Sequence, residues 1–140
     1  MSHRGYKKKY PENTLKSLVS ARDIGFEWVE LDLVSTKDNV VICSHNFDLE
    51  TETNGKGYVY NLLYDDLKIL NVGVNSFPQN FERIPKIEDV FKGLSNSISY
   101  NLEIKTMSMF DLRTVKGLLS IIKDNKIKKL MFSSFNPMVI

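Results

Sequence analysis

Phe26-Glu27-Trp28-Val29-Glu30-Leu31-Asp32-Leu33 is the stretch that decides the fold. Side chains of an extended chain alternate between faces, so Val29, Leu31 and Leu33 share one face and Glu30 and Asp32 the other. Residues 98–105 repeat the arrangement. Ile98, Tyr100, Leu102 and Ile104 face one way; Asn101, Glu103 and Lys105 face the other. Helical patterns separate such strands along the chain, and that alternation predicts a parallel α/β sheet. A parallel sheet normally buries both faces. The carboxylates of Glu30, Asp32 and Glu103 are therefore expected to point into an enclosed space, where like charges need a compensating cation.

Working outward, Asn13 is placed to cap a helix that runs to about Ile24, with Leu15, Leu18 and Val19 on one face and Gly25 as its stop. Residues 40–44 predict another strand, which ends at His45. Residues 46–83 are rich in Gly, Asn and Thr and predict a long excursion with one short helix near 65–70; such loops tend to be functional. Pro85 opens a helix in which Ile87, Val90, Phe91 and Leu94 recur at helical spacing. A further helix carries Leu112, Val115, Leu119 and Ile122 on one stripe. The last expected strand covers 130–134, followed by Pro137 and the apolar Met138-Val139-Ile140.

The chain has 140 residues, 42% of them hydrophobic and 26% charged, which suits one folded domain. A formal charge of +2 is too small to imply nucleic acid. No apolar run is long enough for a membrane span, and the N-terminus lacks the apolar stretch of a signal peptide. Cys43 is the only cysteine, so no intrachain disulfide can form. These features predict a cytoplasmic, reducing setting. Nothing basic adjoins Cys43 in sequence, so it reads as a core residue rather than a nucleophile. Lys7, Lys8 and Lys9 read either as a solvated loop or as a rim that attracts an anion.

Two readings of the carboxylates stand side by side. Strand charges can face water, and Glu103 could pair with Lys105 on its own face. The sharper reading, favoured by the same habit on two strands, is a divalent cation held by Glu30, Asp32 and Glu103; all-oxygen ligands suit Mg²⁺ or Ca²⁺ rather than zinc. His3-Arg4-Gly5 and Pro11-Glu12-Asn13-Thr14 sit nearby in the chain. An imidazole beside a guanidinium suits a phosphate, since one moves a proton while the other clamps an oxyanion. His45 ends a strand, where catalytic groups of a barrel collect.

In order and spacing, His3-Arg4-Gly5, Pro11-Glu12-Asn13-Thr14, Glu30-Leu31-Asp32-Leu33, Ser44-His45, Asn54-Gly55-Lys56-Gly57, Ile84-Pro85-Lys86-Ile87-Glu88-Asp89, Glu103-Ile104-Lys105 and Ser134-Phe135 resemble the glycerophosphodiester phosphodiesterase family. The resemblance covers nearly the whole chain. It implies an α/β TIM barrel with an insertion after the third strand, here about 46–83. It also implies metal-dependent hydrolysis of glycerophosphodiesters to an alcohol and glycerol 3-phosphate. Carried over by position, the catalytic histidines fall on His3 and His45, the phosphate-binding groups on Arg4 and Lys105, and the metal-binding carboxylates on Glu30, Asp32 and Glu103. Glu12 and Asn13 match the loop supporting the first histidine. The chain departs from the pattern at Asn46, where the family usually has Asp, and at Thr51, where an arginine is typical; Glu52 follows it. Asn46 can still orient His45 by a hydrogen bond.

A TIM barrel needs roughly 250 residues. The chain is therefore expected to be an incomplete barrel of parallel strands two to five, with little before His3 to form a first strand. Two other readings follow: a barrel fragment without activity that self-associates or needs a complementing C-terminal half, and a phospholipid-cleaving phosphodiesterase of the same superfamily. Phe77 and Phe81, in the only mildly apolar stretch 74–81, are the sole hint of the last.

Overall fold

The computed structural model describes residues 1–139. Its strands are β1 (Ser2–His3), β2 (Trp28–Ser35), β3 (Val41–Cys43), β4 (Ser99–Ile104) and β5 (Leu130–Ser133). They form one sheet in the order β1-β2-β4-β5, with β3 paired to β2 off that path. The helices are α1 (Leu15–Asp23), α2 (Tyr64–Leu67), α3 (Ile87–Leu94) and α4 (Arg113–Asn125), with a 3-10 turn at Val59–Asn61.

The alternation read from the sequence places both faces correctly. Val29, Leu31 and Leu33 of β2 and Tyr100, Leu102 and Ile104 of β4 are buried in one core with Leu18, Val90, Phe91, Leu94 and Leu118 from the helices. The opposite face holds Glu30, Asp32 and Asn101, also buried. In the parallel register Asp32 stands beside Glu103 and Glu30 beside Asn101.

Two strand expectations are corrected. First, Ser2 and His3 do form a first strand, pairing parallel with Val29 and Glu30. Second, β3 is antiparallel to β2, with Leu33 opposite Cys43 and Ser35 opposite Val41. Its reason is connection length: a short turn can join antiparallel neighbours, whereas a parallel pair needs a crossover of a dozen residues or more. The turn is closed by Thr36, whose Oγ1 accepts the Val40 N–H at 3.0 Å. The parallel set is thus β1, β2, β4 and β5, and β3 is a hairpin arm that carries His45 back toward β2.

Helix details differ as well. Thr14, not Asn13, caps α1, its hydroxyl accepting the Ser17 N–H. On α4, Leu118 is fully buried while Leu119 is exposed and lines an open hollow with Phe132 of β5. The segment 46–83 packs a small core of its own, Leu49, Val59, Leu67 and Val72 against Val34 and Ile42 of the hairpin. Cys43 is buried in the main core, and burial pushes its thiol far up, as befits a packing residue.

Candidate active site

The turn after β1 begins the site. Arg4 has φ 59 and Gly5 φ 84. A Cβ on Gly5 would meet Ser17 Oγ at 2.3 Å, so only glycine lets this turn lie against α1. The left-handed Arg4 turns its N–H onto Glu30 Oε2 at 3.1 Å. Its side chain bridges two carboxylates: Nη1 lies 2.9 Å from Glu12 Oε1 and Nε 2.9 Å from Asp32 Oδ2.

Asp32 is the hub. Asn13 Nδ2 donates to its Oδ2 at 3.0 Å, and Lys105 Nζ lies 3.2 Å from its Oδ1. Lys105 also donates to the His45 carbonyl at 2.7 Å, which joins the end of β4 to the end of β3. Lys105 therefore answers Asp32 rather than its strand neighbour Glu103, as the simpler reading of that face had it.

Glu30, Asp32 and Glu103 offer oxygens within 4.8 Å of one another. Glu30 Oε1 is buried without a hydrogen-bond partner, and Asp32 Oδ1 is buried with Lys105 as its ion-pair partner. Burial above all, with Asp32 and Glu103 adding repulsion, pushes the Glu30 carboxyl up to about 7 against the opposing Arg4 N–H. An orphaned Glu30 oxygen with the Asp32 and Glu103 carboxylates converging on it fits a hard divalent cation, and the donor set fits Mg²⁺ or Ca²⁺.

His3 stands against this cluster, and His45 lies in the neighbouring cleft. His3 Nε2 lies 3.7 Å from Glu30 Oε2, and Lys7 Nζ donates to its Nδ1 at 3.2 Å. Partial burial, then Arg4 and Lys7, lower the His3 pKa, so the ring is neutral near pH 7. His45 lines a cleft of about 670 Å³ with Arg4, Glu12, Asn46 and Glu52. A second hollow of about 430 Å³ opens beyond Lys105, walled by Phe47, Met107 and Phe135. The structure thus gathers His3, Arg4, Glu12, Asn13, Glu30, Asp32, His45, Asn46, Glu103 and Lys105 at one end of the strands.

The profile of the Glycerophosphoryl diester phosphodiesterase family matches residues 3–140. The chain belongs to that family. A glycerophosphodiester phosphodiesterase of Caldanaerobacter subterraneus subsp. tengcongensis is 32% identical over 140 residues, covering 97% of this chain and 57% of that relative. Among solved structures, an Oleispira antarctica phosphodiesterase in complex with the product sn-glycerol-3-phosphate superposes with a TM-score of 0.88 at 30% identity. That superposition covers 99% of this chain and 57% of that one. A glycerophosphodiester phosphodiesterase from Agrobacterium tumefaciens reaches the same TM-score, 0.88, at 22% identity, a likeness of fold alone. The chain spans about 57% of the length of these relatives. Its fold is that of their TIM barrel, and the sheet is open among the described residues.

For this glycerophosphoryl diester phosphodiesterase family member, sequence reasoning missed one site residue. Glu52 accepts a hydrogen bond from Asn46 Nδ2 at 2.9 Å and abuts Glu12. Its only sequence signal is an acidic residue next to the position where the family's usual arginine is missing.

Proposed function

We propose that this site hydrolyses glycerophosphodiesters to an alcohol and glycerol 3-phosphate. The observation that supports it most is the meeting, at one end of the sheet, of the Arg4 clamp, an acidic triad with His3 against it, and His45 in the cleft that Arg4 and Glu12 line. Arg4 is already oriented by Glu12 and Asp32, so its free N–H groups can grip a phosphodiester without first being ordered. Lys105, fixed by Asp32 and the His45 carbonyl, adds positive charge where the transition state gains negative charge.

His3 is the base. Its neutral ring takes the proton of the attacking water, using the lone pair it now lends to Lys7. The new P–O bond forms as the bond to the alcohol breaks, and His45 delivers a proton to the departing alkoxide. A divalent cation held by Glu30, Asp32 and Glu103 would supply Lewis-acid polarisation of a phosphoryl oxygen.

Glycerophosphocholine turnover by a complete barrel that carries this sequence, followed by release of glycerol 3-phosphate with and without added Mg²⁺ or Ca²⁺, tests this reading. Production of glycerol 3-phosphate that stops on Arg4→Ala and Glu103→Gln substitution is the expected result. Release of a phosphorylated head group instead would move the protein to the phospholipase-like alternative.

A further inference from the structure

A series of side chains joins His45 to Arg4, and two of its members, Asn46 and Glu52, have no part in the reaction described above. His45 Nδ1 lies 3.1 Å from Asn46 Oδ1, and Asn46 Nδ2 donates to Glu52 Oε1 at 2.9 Å. Glu52 in turn abuts Glu12, whose Oε1 receives Arg4 Nη1 at 2.9 Å. We propose that Glu52 is a positioning residue that sets the tautomer of His45 through the Asn46 amide.

The argument is one of donors and acceptors. An ionised carboxylate only accepts hydrogen bonds. Burial, and after it the neighbouring Glu12, pushes the Glu52 carboxyl up to about 7. Ionised, Glu52 offers Asn46 only acceptors; protonated, it has the Glu12 carboxylate beside it to take that hydrogen bond, and Oε1 stays an acceptor toward Asn46. In either state Asn46 must turn its NH₂ to Glu52. Its carbonyl oxygen is then the atom left for His45. An oxygen acceptor calls for an N–H on Nδ1, so the neutral ring holds its proton there. Nε2 becomes the nitrogen that exchanges a proton with the substrate. A histidine without this constraint populates mainly the Nε2–H form.

Glu52 also ties the two halves of the site together. Arg4, Glu12, Glu52, Asn46 and His45 form one connected series, from the phosphate clamp to the acid. Asn46 alone could not fix the ring, because an amide whose far side faces water can turn over and present either end. The acceptor-only neighbour removes that freedom.

The kinetic consequence rests on the proposed hydrolysis, but the tautomer does not. The ¹⁵N-labelled chain would be studied roughly two units above the ordinary imidazole pKa of about 6.5. Long-range ¹H–¹⁵N spectra then report which ring nitrogen carries the proton. His45 should show a protonated Nδ1. Glu52→Gln is nearly isosteric, yet its amide can also donate, so Asn46 is free to turn over. That variant, and Glu52→Ala, should shift the His45 tautomer ratio toward Nε2–H by about tenfold, the scale of one neutral hydrogen bond, while His3 signals stay in place. A wild-type His45 that is mainly Nε2–H, or an unchanged ratio in a folded Glu52→Gln, overturns the proposal. In an active barrel, Glu52→Gln should lower kcat and leave KM nearly unchanged. A complete barrel that is inactive while His45 carries its proton on Nδ1 would count against the hydrolysis and support the tautomer assignment.

Discussion

Asn13 and Asp32 hold each other by a pair of reciprocal hydrogen bonds. Asn13 Nδ2 donates to Asp32 Oδ2 at 3.0 Å, and the Asp32 backbone N–H donates to Asn13 Oδ1 at 3.1 Å. The strand N–H that β2 would otherwise leave unpaired is satisfied by the loop after β1, and the same contact aims the carboxylate. Asn13 reaches it from a left-handed backbone, φ 56, which asparagine tolerates better than most residues. Asn13→Ala should therefore cost about 1–3 kcal/mol, the range for leaving a buried polar group unsatisfied. Asn13→Gly keeps the backbone freedom and loses only the side chain. Chemical denaturation of both variants separates the two effects; equal stability of wild type and Asn13→Gly would show that the paired bonds contribute nothing.

The Glu30 carboxyl gives the cation site a pH signature. Its pKa of about 7 lies above the ordinary value, so below that pH the carboxyl is mostly protonated. A cation must then displace the proton, and affinity is weaker. Affinity for Mg²⁺ or Ca²⁺ should rise as pH climbs through about 7 and then level off, with a proton released on binding on the acid side. Calorimetry in two buffers of different ionisation enthalpy counts that proton. Glu30→Gln should weaken binding and abolish the proton release; binding unchanged in Glu30→Gln and Glu103→Gln would remove the cation from this triad.

How much of this could be read from the sequence depends on how local each cause is. The two faces of β2 and β4 follow from period-two alternation, and so the acidic triad is legible in the sequence itself. The direction of β3 was misread because apolar character fixes a strand but not its sense; the shortness of the link from Ser35 to Val41 was the better guide. Asn13 looked like a helix cap because its residue type suits one, whereas its side chain is drawn off to Asp32 and Thr14 takes the cap. Glu52 could not be placed at all. Its role exists only because the 46–83 excursion folds back to set it against Glu12 and Asn46, and no local periodicity encodes that.

The histidines should separate by role in a complete barrel that carries this sequence. His3→Ala and His45→Ala should each remove about two or more orders of magnitude of turnover, the scale of general acid–base catalysis. A substrate whose alcohol is a far better leaving group needs no proton delivered. It should restore much of the His45→Ala rate and little of the His3→Ala rate. Rescue in the opposite sense would exchange the two assignments, and a near-normal rate in either variant would remove that residue from the chemistry.

The outer strand of the sheet sets the behaviour of the isolated chain. β1 covers one side of β2, so the open edge expected there is in fact partnered. β5 pairs only with β4 among the described residues, and Met131 and Phe132 on it are exposed. Phe135, just beyond, is 94% exposed. An apolar strand with an unpaired edge invites pairing with another chain. Open space beyond β5 also leaves Lys105 and the acidic triad in a wetter, weaker field than a closed barrel would give. The 140-residue chain should therefore self-associate with rising concentration and turn over glycerophosphocholine slowly or not at all. Analytical ultracentrifugation of wild type and Met131→Lys tests the first expectation, since a charge on that strand should weaken association. A partner supplying further strands should suppress self-association and raise turnover together. A stable monomer that hydrolyses substrate at an ordinary enzymatic rate would show that these four parallel strands suffice to hold the site.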